Sequence, residues 1–178
     1  MIVASQTAVG PLLGGPIIST LTSPIYVVAM IAYVAGLWML VVGVFGLHQR
    51  QERQARTFGL VAVVAAAIGT SSMAGDVWFD TFVGPWLARQ IPAALEVTRD
   101  GTLVAGALFS YVSMASGWVL LGAASARARV IPLSLALALI PAGILAFFPL
   151  PPYSIGFGAV VVALGAWLTW HRPEAFHD

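Results

Sequence analysis

Five stretches of the chain stay apolar for close to 20 residues each, and short polar segments part them: 25–47, 58–82, 101–124, 131–148 and 154–170. At 1.5 Å of rise per residue, a helix of that length approaches the ~30 Å of a bilayer's hydrocarbon core. None of the stretches alternates apolar and polar residues as a half-buried strand would. A spanning segment must also satisfy its own backbone groups, so helices are the expected form. The expectation is an all-α, polytopic transmembrane bundle forming a single domain over 1–178, with five spans. Residues 2–21 are apolar too, but Gly10-Pro11 and Gly14-Gly15-Pro16 interrupt them. Such pairs break or kink a helix, so this segment reads as a broken, re-entrant or complete sixth span.

The polar segments orient the spans. All eight basic residues are arginines. Arg50, Arg53, Arg56, Arg127, Arg129 and Arg172 fall on one side of the expected bundle, and only Arg89 and Arg99 on the other. The positive-inside rule assigns the six-arginine side, with the C-terminus, to the cytoplasm, and sends the segment 84–100 outward. No basic residue precedes Arg50, so an ordinary cleavable signal peptide is not expected, and the first span would act as an uncleaved signal.

Small residues suggest how the spans meet. Gly69, Ser72, Asp76, Asp80 and Val83 share one face of the second span, and Thr102, Gly106, Ser110, Ser113, Gly117 and Ala124 one face of the third. Ala29, Ala32, Gly36 and Gly43 mark the first, and Gly158 and Gly165 the fifth. In lipid, such stripes let backbones approach closely, so all four are expected to face the interior. Pro141 should kink the fourth span near Leu137.

Composition adds exclusions. The chain of 178 residues is 60% hydrophobic and 8% charged, against about 25% charged in soluble domains. A formal net charge of +1 offers nothing to nucleic acid. Without cysteine there is no disulfide, thiolate metal site or cysteine nucleophile. His48, His171 and His177 all fall at the cytoplasmic boundary with no ligand-like spacing, so neither metal nor haem is expected, and no cofactor. Nucleotide-binding and zinc-protease motifs are missing.

The chemistry concentrates in Gly75–Trp86, which reads GDVWFDTFVGPW. Asp76 and Asp80 stand one helical turn apart on one face. An acid within a span is costly and marks function when it is shielded from water. Two carboxyls sharing a poorly hydrated cleft are not expected to ionise together, so one would keep its proton near neutral pH and serve as a general acid. Asp76 is the candidate donor, with Asp80 or Glu96 as its relay. Trp78, Phe79, Phe82 and Trp86 are candidates to line a substrate cavity, where ring faces stabilise a cation, and Ser110 and Ser113 to hydrogen-bond within it. Each has a plainer reading. Asp76 lies far enough along its span to sit at the wet boundary, and Asp80 could pair with Arg89 or Arg99. The tryptophans could be interfacial anchors. Asp100 suits a helix N-cap, and Glu96 and Arg99 a simple ion pair.

The run GLHQRQERQAR, the glycine-bearing span after it and AGDVWFDTFVGPWLA resemble small polytopic membrane proteins of high-GC actinobacteria, which carry no assigned chemistry. The likeness extends loosely through SARARVIP and implies a bacterial plasma-membrane setting. At the level of class alone, acids among aromatics in a membrane are similar to the integral-membrane terpene cyclases that make indole sesquiterpenes and meroterpenoids. That likeness implies protonation of an alkene or epoxide on a prenylated lipid. The expected function is therefore an acid-initiated cyclase or isomerase of an isoprenoid lipid. Its rivals are a proton-coupled carrier of a small lipophile and a non-catalytic subunit of a membrane complex.

Overall fold

A computed structural model describes residues 17–95, 101–148 and 153–171, and every regular element among them is helical. A short α1, Ile17–Thr22, precedes α2, Pro24–Gln90. α2 is a hairpin of two apolar arms, Pro24–Gln51 and Gln54–Gln90. The chain reverses near Arg56, whose φ of 48° and ψ of −140° break the helical path. A side chain with a Cβ rarely adopts that backbone. Tyr33 and Asp76, at similar separations from Arg56, come within electrostatic reach of each other, as antiparallel arms require. A 3₁₀ turn, Pro92–Leu95, follows, and then α3, Gly101–Ala128, α4, Leu133–Leu145, and α5, Tyr153–Trp170.

Both arms of α2, α3 and α5 are long and apolar enough to cross a membrane. The chain is thus an all-α, membrane-integral bundle. The expected fourth span, 131–148, is shorter than read: α4 has 13 residues, about 20 Å of helix, less than a bilayer core. Pro132 occupies its N-cap and the helix closes at Ala146, so a proline trims one end and a turn the other. Pro141 sits inside α4 without ending it. Of the segment 2–21, residues 1–16 lie outside the described part, and α1 packs its Leu21 against Tyr26 and Ala88.

The core is a seam between the second arm of α2 and α3, extended by α4. A Cβ at Gly69 would run into the backbone of Ser113. One at Gly117 would lie 2.6 Å from the Ala66 Cα and the Ala65 carbonyl oxygen. The two glycines therefore admit each other's helix at van der Waals distance, as small residues do in membranes. Trp118 is buried beside this crossing; its Nε1 donates to the Thr70 hydroxyl at 3.0 Å, and Thr70 donates to the Ala66 carbonyl at 2.7 Å. Gly143 of α4 seats against Val119 and Ala115 in the same way. At the end that carries the arginines, the buried Ser125 hydroxyl donates to Gln51 Oε1 at 3.2 Å. Arg50 donates to the carbonyls of Leu168 and His171 at 3.1 and 3.0 Å, satisfying the C-terminal groups of α5.

The stripes expected on the first and fifth spans are placed differently. Gly36, Gly43, Gly158 and Gly165 all have open space where a Cβ would go, and Ala29 and Ala32 are exposed. These helices have too few neighbours to bury a second face: only 17% of the first arm's apolar window and 11% of α5's is buried, against 50% for the second arm.

Candidate functional site

The helix that carries Asp76 and Asp80 continues unbroken to Gln90, eight residues past the end expected for its span. Pro85 lies inside it without stopping it, and Ile91 closes it by donating its N–H to the Leu87 carbonyl. Counted along the helix from Arg56, Asp76 stands about 30 Å away, one bilayer core from the arginine end.

Burial separates the two acids. Asp80 is 2% exposed, while Asp76 is half-buried. One oxygen of each, Asp76 Oδ2 and Asp80 Oδ1, is sealed from solvent without a hydrogen-bond partner. Neither forms an ion pair among the described residues, and Arg89 is exposed and does not reach Asp80. Along the same helix Val77, Thr81, Gly84 and Pro85 are buried with Asp80, and the Thr81 hydroxyl is spent on the Val77 carbonyl at 2.6 Å. A polar group kept dry and unpaired costs free energy, which folding alone gives no reason to retain.

The candidate aromatics point the other way. Trp78, Phe79, Phe82 and Trp86 are 42–54% exposed on the outward face. Trp78 and Phe82 rest against each other with ring centroids 5.5 Å apart. A single helix cannot turn the acids and all four rings toward one cavity, because residues two apart lie on nearly opposite sides. Ser110 and Ser113 are engaged with the backbone: Ser110 donates to the Ser72 and Gly106 carbonyls, both at 3.3 Å, and Ser113 to the Ser110 carbonyl at 3.2 Å. Ser110 therefore fixes α3 against the acid-bearing helix one turn before Asp76. Glu96, Arg99 and Asp100 lie outside the described residues, as does His177.

The rings that do line a cavity come from elsewhere. Between the first arm of α2 and α5 lies a cleft of about 420 Å³, and Tyr33, Phe148 and Phe157 contribute its aromatic lining. Phe157 is held edge-on to Trp118 at 5.0 Å, which fixes that wall to the core seam. Tyr33 lines the cleft and lies within electrostatic reach of Asp76, but among the described residues neither acid lines the cleft itself. Tyr33 carries a sequence signal, one of two hydroxyls in the apolar run 25–47. Phe148 and Phe157 carry none, because their role depends on α5 standing apart from the first arm.

At the arginine end, His171 stacks on Trp167 at 4.8 Å, and His48 is half-buried with Nδ1 unpartnered. No group of three or more His, Cys, Asp or Glu among the described residues could hold a metal ion.

No family model, no curated protein and no solved structure matches the chain.

Proposed function

We propose that this protein is a membrane-embedded acid catalyst, a cyclase or isomerase of a prenylated lipid, residing in a bacterial plasma membrane with its arginine end in the cytoplasm. The observation that carries the reading is the pair of sealed, unpartnered carboxyl oxygens on Asp76 and Asp80, one turn apart within a spanning helix. Asp76, the more accessible acid and the one within electrostatic reach of Tyr33, is the donor; Asp80 is its buried partner.

The chemistry is redox-neutral. The Asp76 carboxylic acid gives its proton to one carbon of an alkene. A C–H bond forms, the π bond is consumed, and a tertiary carbocation results. A second alkene of the same chain can attack that cation and close a ring. Loss of a proton from a neighbouring C–H to the Asp76 carboxylate then forms a new C=C bond and restores the acid. Tyr33, Phe148 and Phe157 bring aromatic rings to the cleft, and ring faces stabilise a cation.

The test is turnover of geranylgeranylated and epoxidised prenyl substrates by purified protein in lipid nanodiscs. Asp76→Asn abolishes turnover and Asp80→Asn lowers it at least tenfold, while both variants keep the helical circular-dichroism spectrum. Full activity in both variants overturns the proposal.

One observation favours a second reading. Asp76 stands about one bilayer core from Arg56, where a carboxyl can exchange protons with water. A proton-coupled carrier of a lipophile would use the same two acids without changing the substrate. It predicts flux into liposomes driven by a pH gradient, with the substrate recovered intact.

A further inference from the structure

We propose that the cleft between the first arm of α2 and α5 is a lateral slot that holds one hydrocarbon chain of a bilayer-resident lipid. This deepens the function proposed above by giving the substrate's chain a place to lie and a way in. Its test needs no turnover, so either idea can fail while the other stands.

The walls argue for hydrocarbon. Leu37, Leu40, Met114, Phe157 and Val161 line the slot, and among the described residues only Tyr33 and Ser154 bring a hydroxyl to it. At about 420 Å³ it lies within the usual range of ligand sites, roughly 300–1,000 Å³. Left empty, its walls would forfeit dispersion contacts, and water would find too few polar partners there. The surroundings identify what enters. Trp38, Met39 and Val42 on one flank and Ile155 and Val162 on the other are exposed apolar residues of membrane-length helices. The mouth is therefore continuous with a lipid-facing surface, and acyl or prenyl chains are its neighbours.

Two features shape the slot. Gly36 and Gly158 line it from opposite walls, and a Cβ built on either meets nothing within 4 Å. These glycines widen the slot and let no other helix closer, the reverse of Gly69 and Gly117. Toward the arginine end, Arg50 ties the first arm to the last carbonyls of α5 and closes the gap.

The experiment uses the full chain in phosphatidylcholine nanodiscs that contain a lipid with a diazirine on one acyl chain. After irradiation, adducts are mapped by peptide mass spectrometry. Leu37 and Met114, each 2% exposed, form the slot's floor, and Met39 at 76% reports the outer surface. Adducts at the floor are expected to saturate as the probe fraction rises, while those at Met39 increase in proportion. The double variant Gly36→Leu/Gly158→Leu fills the slot and lowers floor adducts at least fivefold, leaving Met39 unchanged. The saturation curve of the unaltered protein decides the matter even if the double variant misfolds. Floor adducts that are missing, that rise without saturation, or that persist in a folded double variant overturn the assignment.

Discussion

The seam between the second arm of α2 and α3 and the seam between its first arm and α5 use the same residue in opposite ways. In the first, Gly69 and Gly117 are sealed by the opposing backbone; in the second, Gly36 and Gly158 face open space. The first seam adds a buried indole-to-hydroxyl hydrogen bond, from Trp118 to Thr70. The second is held by Arg50 at one end and parts into an apolar cleft toward the other. In a bilayer, where lipid tails are as apolar as leucine, shape complementarity decides which helices stay together. Packing thus assigns the sealed seam to holding the fold and leaves the parted seam free to receive something else.

The sharpest way to break this comparison is to enlarge a sealed glycine. Gly117→Leu drives a side chain into the Ala65–Ala66 backbone, which has no rotamer with which to yield. A loss of about 3 kcal/mol is expected, at the upper end for overpacked cores. Unfolding in mixed dodecylmaltoside and SDS micelles, followed by circular dichroism, measures it. A loss below about 1 kcal/mol would mean that the crossing is looser than the geometry requires.

A smaller effect tests whether polar contacts add to the sealed seam. Trp118→Phe keeps a ring against Phe157 but removes the donor to Thr70. A double-mutant cycle with Thr70→Val isolates the bond from the lost volume. The expected coupling is about 1 kcal/mol, as for a typical buried neutral hydrogen bond. Coupling near zero would leave the seam's stability to shape alone.

The sequence reveals more about the sealed seam than about the parted one, for a physical reason. A stripe of small residues at steps of three and four signals that a helix can be approached closely, and on α3 the stripe holds at Ser110 and Gly117. It does not signal that a partner exists: Gly36 and Gly43 belong to such a stripe, yet a Cβ at either meets no opposing helix. Partner choice depends on how many helices the bundle has to place, and α4 falls short of a full span. The acids were legible for a related reason. Charge inside an apolar run is conspicuous along the chain, and the burial of Asp80 agrees with it. The aromatic lining was not. Phe79 and Phe82 lie near the acids in sequence but on the outside of the same helix, while Phe148 and Phe157 reach the cleft from distant segments. On α2 the helix also runs past the end of each apolar run. Gln, Glu, Arg and Ala in the segment around Arg50–Ala55 are good helix formers, so α2 stays helical after hydrophobicity has ended.

The smallest effect is the most discriminating, because it reverses sign between the two regions. At Gly43 a Cβ meets nothing within 4 Å, the position is exposed, and the surrounding arm is regular helix. Gly43→Ala therefore adds no clash and removes backbone freedom from the unfolded chain. A gain of about 0.5 kcal/mol is expected, the lower end of the glycine-to-alanine difference in a helix. The same micelle titration that registers Gly117→Leu as a loss should register this as a small gain. A loss at Gly43 comparable to that at Gly117 would mean that a further helix, from another copy or another protein, covers the first arm in the membrane. The parted seam would then belong to an assembly, and the neighbouring cleft would have no lipid-facing mouth.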